Sequence, residues 1–467
     1  MITPPDELRK RYQKSFKLQE KFHTLVPGGS HTYSKGEDQQ PHLSPKLVSH
    51  AKGALCWDVD ENEYIDWMMG NRTFVLGHAY DAVDNAVIDT LRKGTNFSRP
   101  GILEYEIAEY LVDLWPVAEM VKFGKNGSDV THAAVKLARA YTGRDFIAKC
   151  AEHPFFSTHD WFISTTPCNN GIPAEIKDYA LNFKYNDIKS VEALFDQHHD
   201  KIACFILEPV KDVEPQDDFL QKLKDLCDKN GAILIFDEMI SGIRFDLLGA
   251  HHKWGVYPHL ATFGKCVSNG YSCSVLAGQR DIMELGGIFH DKERTFLLSQ
   301  THASETVGLA AIRATLEECQ KVNATQHIWD TGKAFKDGMN ALAQQEGVSN
   351  FIGAAGFDCN PVFSFKDKSG APSLPLMTLF IQECLARGIM ASWLTVTYAH
   401  KQEHLDRTFE VFGEVMKSLK PIIENDEVSE ALVGDPIKPV MRTYNKCLQR
   451  QCGLVDKSAP KASCCTE

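Results

Sequence analysis

From about residue 80 onward, short apolar runs alternate with stretches whose apolar positions recur at helical spacing. MVKFGKNG reads as a strand entering a Gly-containing turn. SDVTHAAVKLARAYTGR then reads as a helix with Ser128 or Asp129 near its cap. DFIAKCA, IACFILEPV and AILIFDEM are continuous apolar runs, as expected of parallel strands buried on both faces. DDFLQKLKDLCDKNG lies between the last two and has helical spacing with a closing Gly. This alternation predicts an α/β fold built on a mainly parallel sheet. Beyond about residue 316, helical patterns mix with short strands in FIGAAGFDCNPVFSF and GIMASWLTV, predicting a smaller α+β domain. Upstream, residues 5–24 read as one polar, amphipathic helix. VPGGSHTYSKGEDQQP reads as a loop, and ALCWDVDENEYIDW as two short strands joined by an Asp/Asn-rich turn. Residues 441–467 have no periodicity and are expected to form a flexible tail.

Composition narrows the classes. A 467-residue chain can bury a large core, and 43% apolar with 24% charged residues is ordinary for a globular protein. A formal charge of -12 argues against non-specific nucleic-acid binding. No apolar run approaches the ~20 residues that span a bilayer. The charged start, MITPPDELRKRYQKSFKLQEKF, lacks the apolar core of a secretory signal, so a cytoplasmic protein is expected. Most of the fourteen cysteines sit singly in apolar runs, as Cys204 and Cys56 do, and read as buried thiols rather than a disulfide framework. Cys447, Cys452, Cys464 and Cys465 lie in the polar tail without zinc-like spacing, so no metal site is expected.

Three segments carry candidate chemistry. In ILIFDEMISGIR, Asp237 stands at the carboxyl end of a buried strand, where open α/β sheets place ligand contacts; it could equally cap the next element. Lys265, in HLATFGKCVSNGYSCSVLAG, follows an apolar stretch and a Gly inside a run of small residues. A shielded lysine can have a lowered pKa and act as an amine nucleophile, while a solvated loop lysine is the plain alternative. In FGKNGSDVTHAAVKLARAYTGR, a Gly-Ser turn opening a helix offers N–H groups and a hydroxyl to a phosphate, or simply caps the helix. The phosphate loop of nucleotide hydrolases and the dinucleotide-binding glycine pattern are both missing.

NGSDVTHAAVKLARAYTGR, ILEPV, LIFDEMISGIR and FGKCVSNGYSCSVLAG occur in the order and at close to the spacing of class III (omega-type) aminotransferases, which depend on pyridoxal phosphate (PLP). The chain most resembles their glutamate-1-semialdehyde aminomutase-like branch, which VPGG and DVDENEYIDW followed by LGHAY match as well. The resemblance runs from about residue 15 to about residue 425. It implies PLP fold type I, with an N-terminal segment (1–79) packing on a small C-terminal domain (316–440), a large cofactor-binding domain (80–315), and the tail (441–467) outside both.

The resemblance also implies roles. Lys265 would hold the cofactor as a Schiff base, and Asp237 would pair with its protonated pyridine nitrogen. Gly127 and Ser128 would bind the phosphate, with Asp129 next in the turn. Met239 would pack on one face of the ring and Phe155 on the other, while Glu208 matches a family acid near the site. Thr301 falls where the family reaches the phosphate from the partner subunit, which implies a homodimer with its active sites at the interface. The expected reaction is ping-pong transfer of an amino group between a small-molecule amino donor and a carbonyl acceptor. An intramolecular aminomutase is the alternative, and a PLP-binding protein without turnover a third reading.

Three departures fall around the substrate. Lys35 stands where the aminomutase branch has an Arg for the substrate carboxylate, Asn71 replaces an aromatic and is followed by Arg72, and HPFF replaces Tyr-His-Gly. Arg72 or Lys35 is therefore the expected reader of an anionic substrate group, with a surface ion pair as the alternative for each. These changes favour an intermolecular aminotransferase over semialdehyde isomerisation.

Overall fold

The computed structural model describes residues 2–445. Its centre is a seven-stranded sheet: β1 (Met120–Gly124), β2 (Phe146–Cys150), β3 (Ala180–Phe183), β4 (Ile202–Leu207), β5 (Ile233–Asp237), β6 (Leu260–Phe263) and β7 (Ser274–Gly278). The strands lie in the order β1-β7-β6-β5-β4-β2-β3. Those from β6 to β3 run parallel, and β7 runs antiparallel to both its neighbours. The expected α/β fold with a mainly parallel sheet is therefore observed.

Why β4 and β5 read as unbroken apolar runs follows from their position. Cys204, Ile206, Ile233 and Ile235 point to one face and pack under helix α1 (Gly127–Thr142). Phe205, Leu207, Leu234 and Phe236 point to the other and pack under α2 (Phe219–Asn230). Both faces are buried, so no polar alternation survives. Cys56 and Cys204 are buried, as expected of lone thiols in apolar runs.

The N-terminal segment and the C-terminal third share a second sheet. Val48–Lys52, Leu55–Asp58 and Glu63–Asp66 form an antiparallel meander, and Ile389–Met390 adds to it in parallel. Helices α3 (Thr306–Lys321), α4 (Ala324–Gln345), α5 (Leu374–Ala386) and α6 (Gln402–Glu424) and a hairpin of Ile352–Phe357 with Asn360–Phe365 complete that end. Its core is aromatic: Phe335, Phe363, Phe380 and Phe412 stack edge-on or tilted, with Phe380 and Phe412 at 5.1 Å.

Local expectations are corrected in three places. The N-terminal helix is two helices, Pro5–Arg11 and Gln13–Leu25, broken at Tyr12. The break comes from afar, because Asp60 accepts the N–H groups of Lys14 (2.7 Å) and Ser15 (2.8 Å) and so caps a new helix start. GIMASWLTV yields only the two-residue strand Ile389–Met390. Finally, the cap of α1 is Asn126, two residues before Ser128 and three before Asp129, the expected caps. Residues 446–467, with Cys447, Cys452, Cys464 and Cys465, lie outside the described residues.

Candidate active site

Three neighbouring parallel strands, β4, β5 and β6, each end in a titratable side chain. Glu208 follows β4, Asp237 ends β5, and Lys265 lies two residues beyond β6. Asp237 is 2% exposed, and its Oδ1 accepts both the Met239 N–H (3.0 Å) and the Thr262 hydroxyl (3.3 Å). Both bonds end on Oδ1, which leaves Oδ2 for a further donor. Burial pushes the Asp237 carboxyl up to about 6, against the pull of the Lys265 charge and of these bonds. Glu208, 4% exposed, is pushed up to about 7 by burial first and by the Asp237 charge second, with Lys265 opposing. Its Oε2 is buried without a hydrogen-bond partner. Burial lowers the Lys265 amine, and the carboxylates of Asp237 and Glu208 hold it up. Lys265 has φ 49°, a left-handed conformation that a non-glycine residue adopts at a steric penalty, and Gly264 precedes it.

A cradle lies beside these groups. At the start of α1, Asp129 Oδ2 accepts the N–H groups of Asn126 (2.8 Å) and Lys125 (3.1 Å), so this carboxylate shapes the turn. The Gly127 backbone faces Met239, whose Sδ would stand 2.9 Å from a Cβ there; a Cβ on Gly264 would stand 2.6 Å from the same sulfur. Ser128 Oγ accepts the Thr158 N–H at 3.0 Å, and the Thr131 hydroxyl donates to the Phe156 carbonyl at 2.8 Å. The 155–158 loop is thereby clamped onto the helix start. Of its two aromatic residues Phe156 is buried at 2%, whereas Phe155 is 45% exposed and rests edge-on against Phe162 at 5.6 Å.

The remaining sequence candidates divide. Arg72 is half-buried and shares its electrostatic surroundings with Glu208 and Lys265. Lys35 is exposed on the short turn Tyr33–Lys35, whose Ser34 accepts a bond from Asn71 at 2.9 Å. No ion pair forms on Arg72 or Lys35 among the described residues. Thr301 is exposed, and its carbonyl accepts a bond from Asn96 at 2.9 Å. Sequence reasoning missed His153, which is 4% exposed and held neutral by burial, with its pKa near 3. Its Nδ1 accepts the Glu208 N–H at 3.0 Å and joins the aromatic loop to the acid. One histidine in a loop gives no signal of that contact.

The family model "Aminotransferase class-III" matches residues 36–410. Glutamate-1-semialdehyde 2,1-aminomutase of Syntrophobacter fumaroxidans is 30% identical over 426 residues, covering 85% of this chain and 96% of that one. 3-Aminobutyryl-CoA aminotransferase of Cloacimonas acidaminovorans is 30% identical over 421 residues, covering 88% and 98%. Among solved structures, the FumI protein of Sphingopyxis sp. MTA144, in its PLP internal aldimine form, superposes with a TM-score of 0.82 at 25% identity, covering 92% of this chain and all of that one. A glutamate-1-semialdehyde aminomutase from Pseudomonas aeruginosa PAO1 has the same fold, with a TM-score of 0.78 at 19% identity over 89% of this chain and 96% of that one. The chain therefore belongs to the class III aminotransferases, and it is an enzyme whose cofactor is pyridoxal phosphate.

Proposed function

We propose that this chain is an aminotransferase that moves an amino group from a small-molecule amino donor to a carbonyl acceptor in two half-reactions. One observation carries the reading: Lys265, Asp237 and Glu208 stand on adjacent strand ends and shift one another's protonation. The site also fits the cofactor. Among the described residues Asp237 Oδ2 and Glu208 Oε2 take no hydrogen bond, the turn at Gly127 and Ser128 opens a sixteen-residue helix, and the Phe155 ring is partly exposed.

When bound, pyridoxal phosphate supplies a carbonyl that condenses with amines and a ring that takes up electrons from the adjoining carbon. In this reading Lys265 Nζ would be the amine that anchors the cofactor. Burial lowers the pKa of the Lys265 amine, so it would be the base that moves a proton from the substrate Cα to a position one atom away. Asp237 Oδ2 would keep the cofactor's ring nitrogen protonated, Gly127 and Ser128 would bind its phosphate with Asp129 fixing their turn, and Met239 and Phe155 would pack against it and exclude water. Glu208, whose backbone N–H donates to His153, would be an acid near the site. We further propose that the enzyme is a cytoplasmic homodimer in which Thr301 of the partner subunit completes the phosphate site. No nucleic acid, membrane or metal enters this account. No helix among the described residues is long and apolar enough to cross a membrane.

Several relatives carry the name glutamate-1-semialdehyde 2,1-aminomutase, which keeps an intramolecular reaction as the second reading. Exchange decides between them. An aminotransferase passes labelled nitrogen from its donor to an added 2-oxo acid, whereas an aminomutase keeps it within one molecule. A bound-cofactor spectrum that no amine alters would overturn both readings.

A further inference from the structure

Residues Met69–Arg72 wind in the left-handed sense. Their φ angles are 44°, 55°, 64° and 66°, so four successive residues, three of them not glycine, occupy a region that L side chains avoid. Such a turn persists only where its surroundings over-determine it, and here they do. The buried Asp66 accepts the N–H groups of Met68 (2.8 Å) and Met69 (3.1 Å) on Oδ1, and its Oδ2 lies 2.8 Å from His78 Nε2. The Trp393 indole donates to the Met68 carbonyl at 3.1 Å, and the Thr73 hydroxyl to the Gly70 carbonyl at 3.0 Å.

All this support ends in a side chain that nothing among the described residues satisfies. Arg72 Nε is buried without a partner, and among the described residues no hydrogen bond or ion pair ends on its guanidinium. The charged groups facing it are Asp212, Arg244 and Glu208. Arg244 is engaged elsewhere, donating to the carbonyls of Val396 (2.6 Å) and Phe74 (2.9 Å). Neither acid closes an ion pair with Arg72. A shielded guanidinium with its planar fork of donors unused matches a carboxylate, which accepts two of its N–H groups at once. Lys35, the other candidate, stays exposed.

We infer that Arg72 binds a carboxylate carried by the amino substrate, so that the substrate class is amino acids, and that Asp66 and His78 are positioning residues that hold the strained turn presenting it. The inference rests on the aminotransferase reading and names the substrate class for that same site.

The test pairs amines that differ in one carboxylate: alanine with ethylamine, 3-aminobutyrate with butan-2-amine, and 4-aminobutyrate with butylamine. Single-turnover change of the bound-cofactor absorbance is followed in the full-length holoenzyme. The expected result is that at least one acid outpaces its counterpart by about 100-fold, and that Arg72→Gln lowers this ratio by about the same factor. Asp66→Asn should lower the ratio by about 10-fold with the cofactor still bound, which a role confined to stability would not do. If Arg72→Gln does not fold, Arg72→Lys keeps the charge and should leave an intermediate ratio. A wild type without preference for any acid, or a ratio unchanged in the Arg72 variant, overturns the inference and leaves aminotransfer standing. Absence of a response to every amine overturns the aminotransferase reading and this inference with it.

Discussion

A Cβ on Gly127 would stand 2.9 Å from Met239 Sδ, so these two residues fit together only while one of them lacks a side chain. A Cβ on Gly264 would likewise stand 2.6 Å from the same sulfur, so Met239 Sδ lies close to both glycines. Gly127→Ala should therefore over-pack the cradle, lowering stability by about 1–3 kcal/mol and weakening cofactor binding. Thermal unfolding of the apoenzyme and titration with pyridoxal phosphate check this. Adding Met239→Ala should recover part of the stability. Unchanged unfolding and affinity in Gly127→Ala would show that the contact is slack.

Asp237 gives a pH dependence with a definite sign. Burial raises its carboxyl to about 6 in the protein without cofactor, so the native state binds more protons than the unfolded state between the ordinary carboxylate range and that value. Its contribution to apoenzyme stability is present below the ordinary range and is lost as pH rises through 6. In the role proposed for Asp237, cofactor binding requires the ionised form, so affinity should fall as pH drops below about 6. Asp237→Asn should remove that component of the profile and bind the cofactor weakly at every pH. An unchanged pH profile in the variant would contradict the ion pair.

Thr301 is exposed within its own chain, and its assignment to the partner's phosphate site predicts complementation. Lys265→Ala and Thr301→Ala homodimers should each be defective. Mixing them through a dissociation cycle should restore about one fully formed site in four, since half of the dimers become mixed and each holds one intact site. Activity that never exceeds the sum of the two variants would place Thr301 outside the site.

What could be read from the sequence was local or lay on a continuous strand. β4 and β5 announce themselves because both faces are buried, and Asp237 stands out because a carboxylate ends such a run. The Gly-Ser turn was legible too, although its cap is Asn126. Long-range contacts were not legible. Nothing near Tyr12 reveals that Asp60 breaks its helix, and nothing in GNR reveals a left-handed turn that the Trp393 indole helps to hold. His153 likewise acquires its role only when the chain brings it to Glu208. The proposed cofactor residues follow strand ends and helix starts, so they could be foreseen, whereas the strained turn at Met69–Arg72 left no local signal in the sequence.

The proposed anchoring of the cofactor by Lys265 can be tested by chemical trapping. Borohydride reduction of the loaded enzyme fixes pyridoxal phosphate to whichever amine carries it, and peptide mass mapping identifies that residue. The account predicts one modified peptide, containing Lys265, and none after Lys265→Ala. Modification at another lysine, such as the buried Lys149 at the end of β2, with Lys265 untouched, would contradict it.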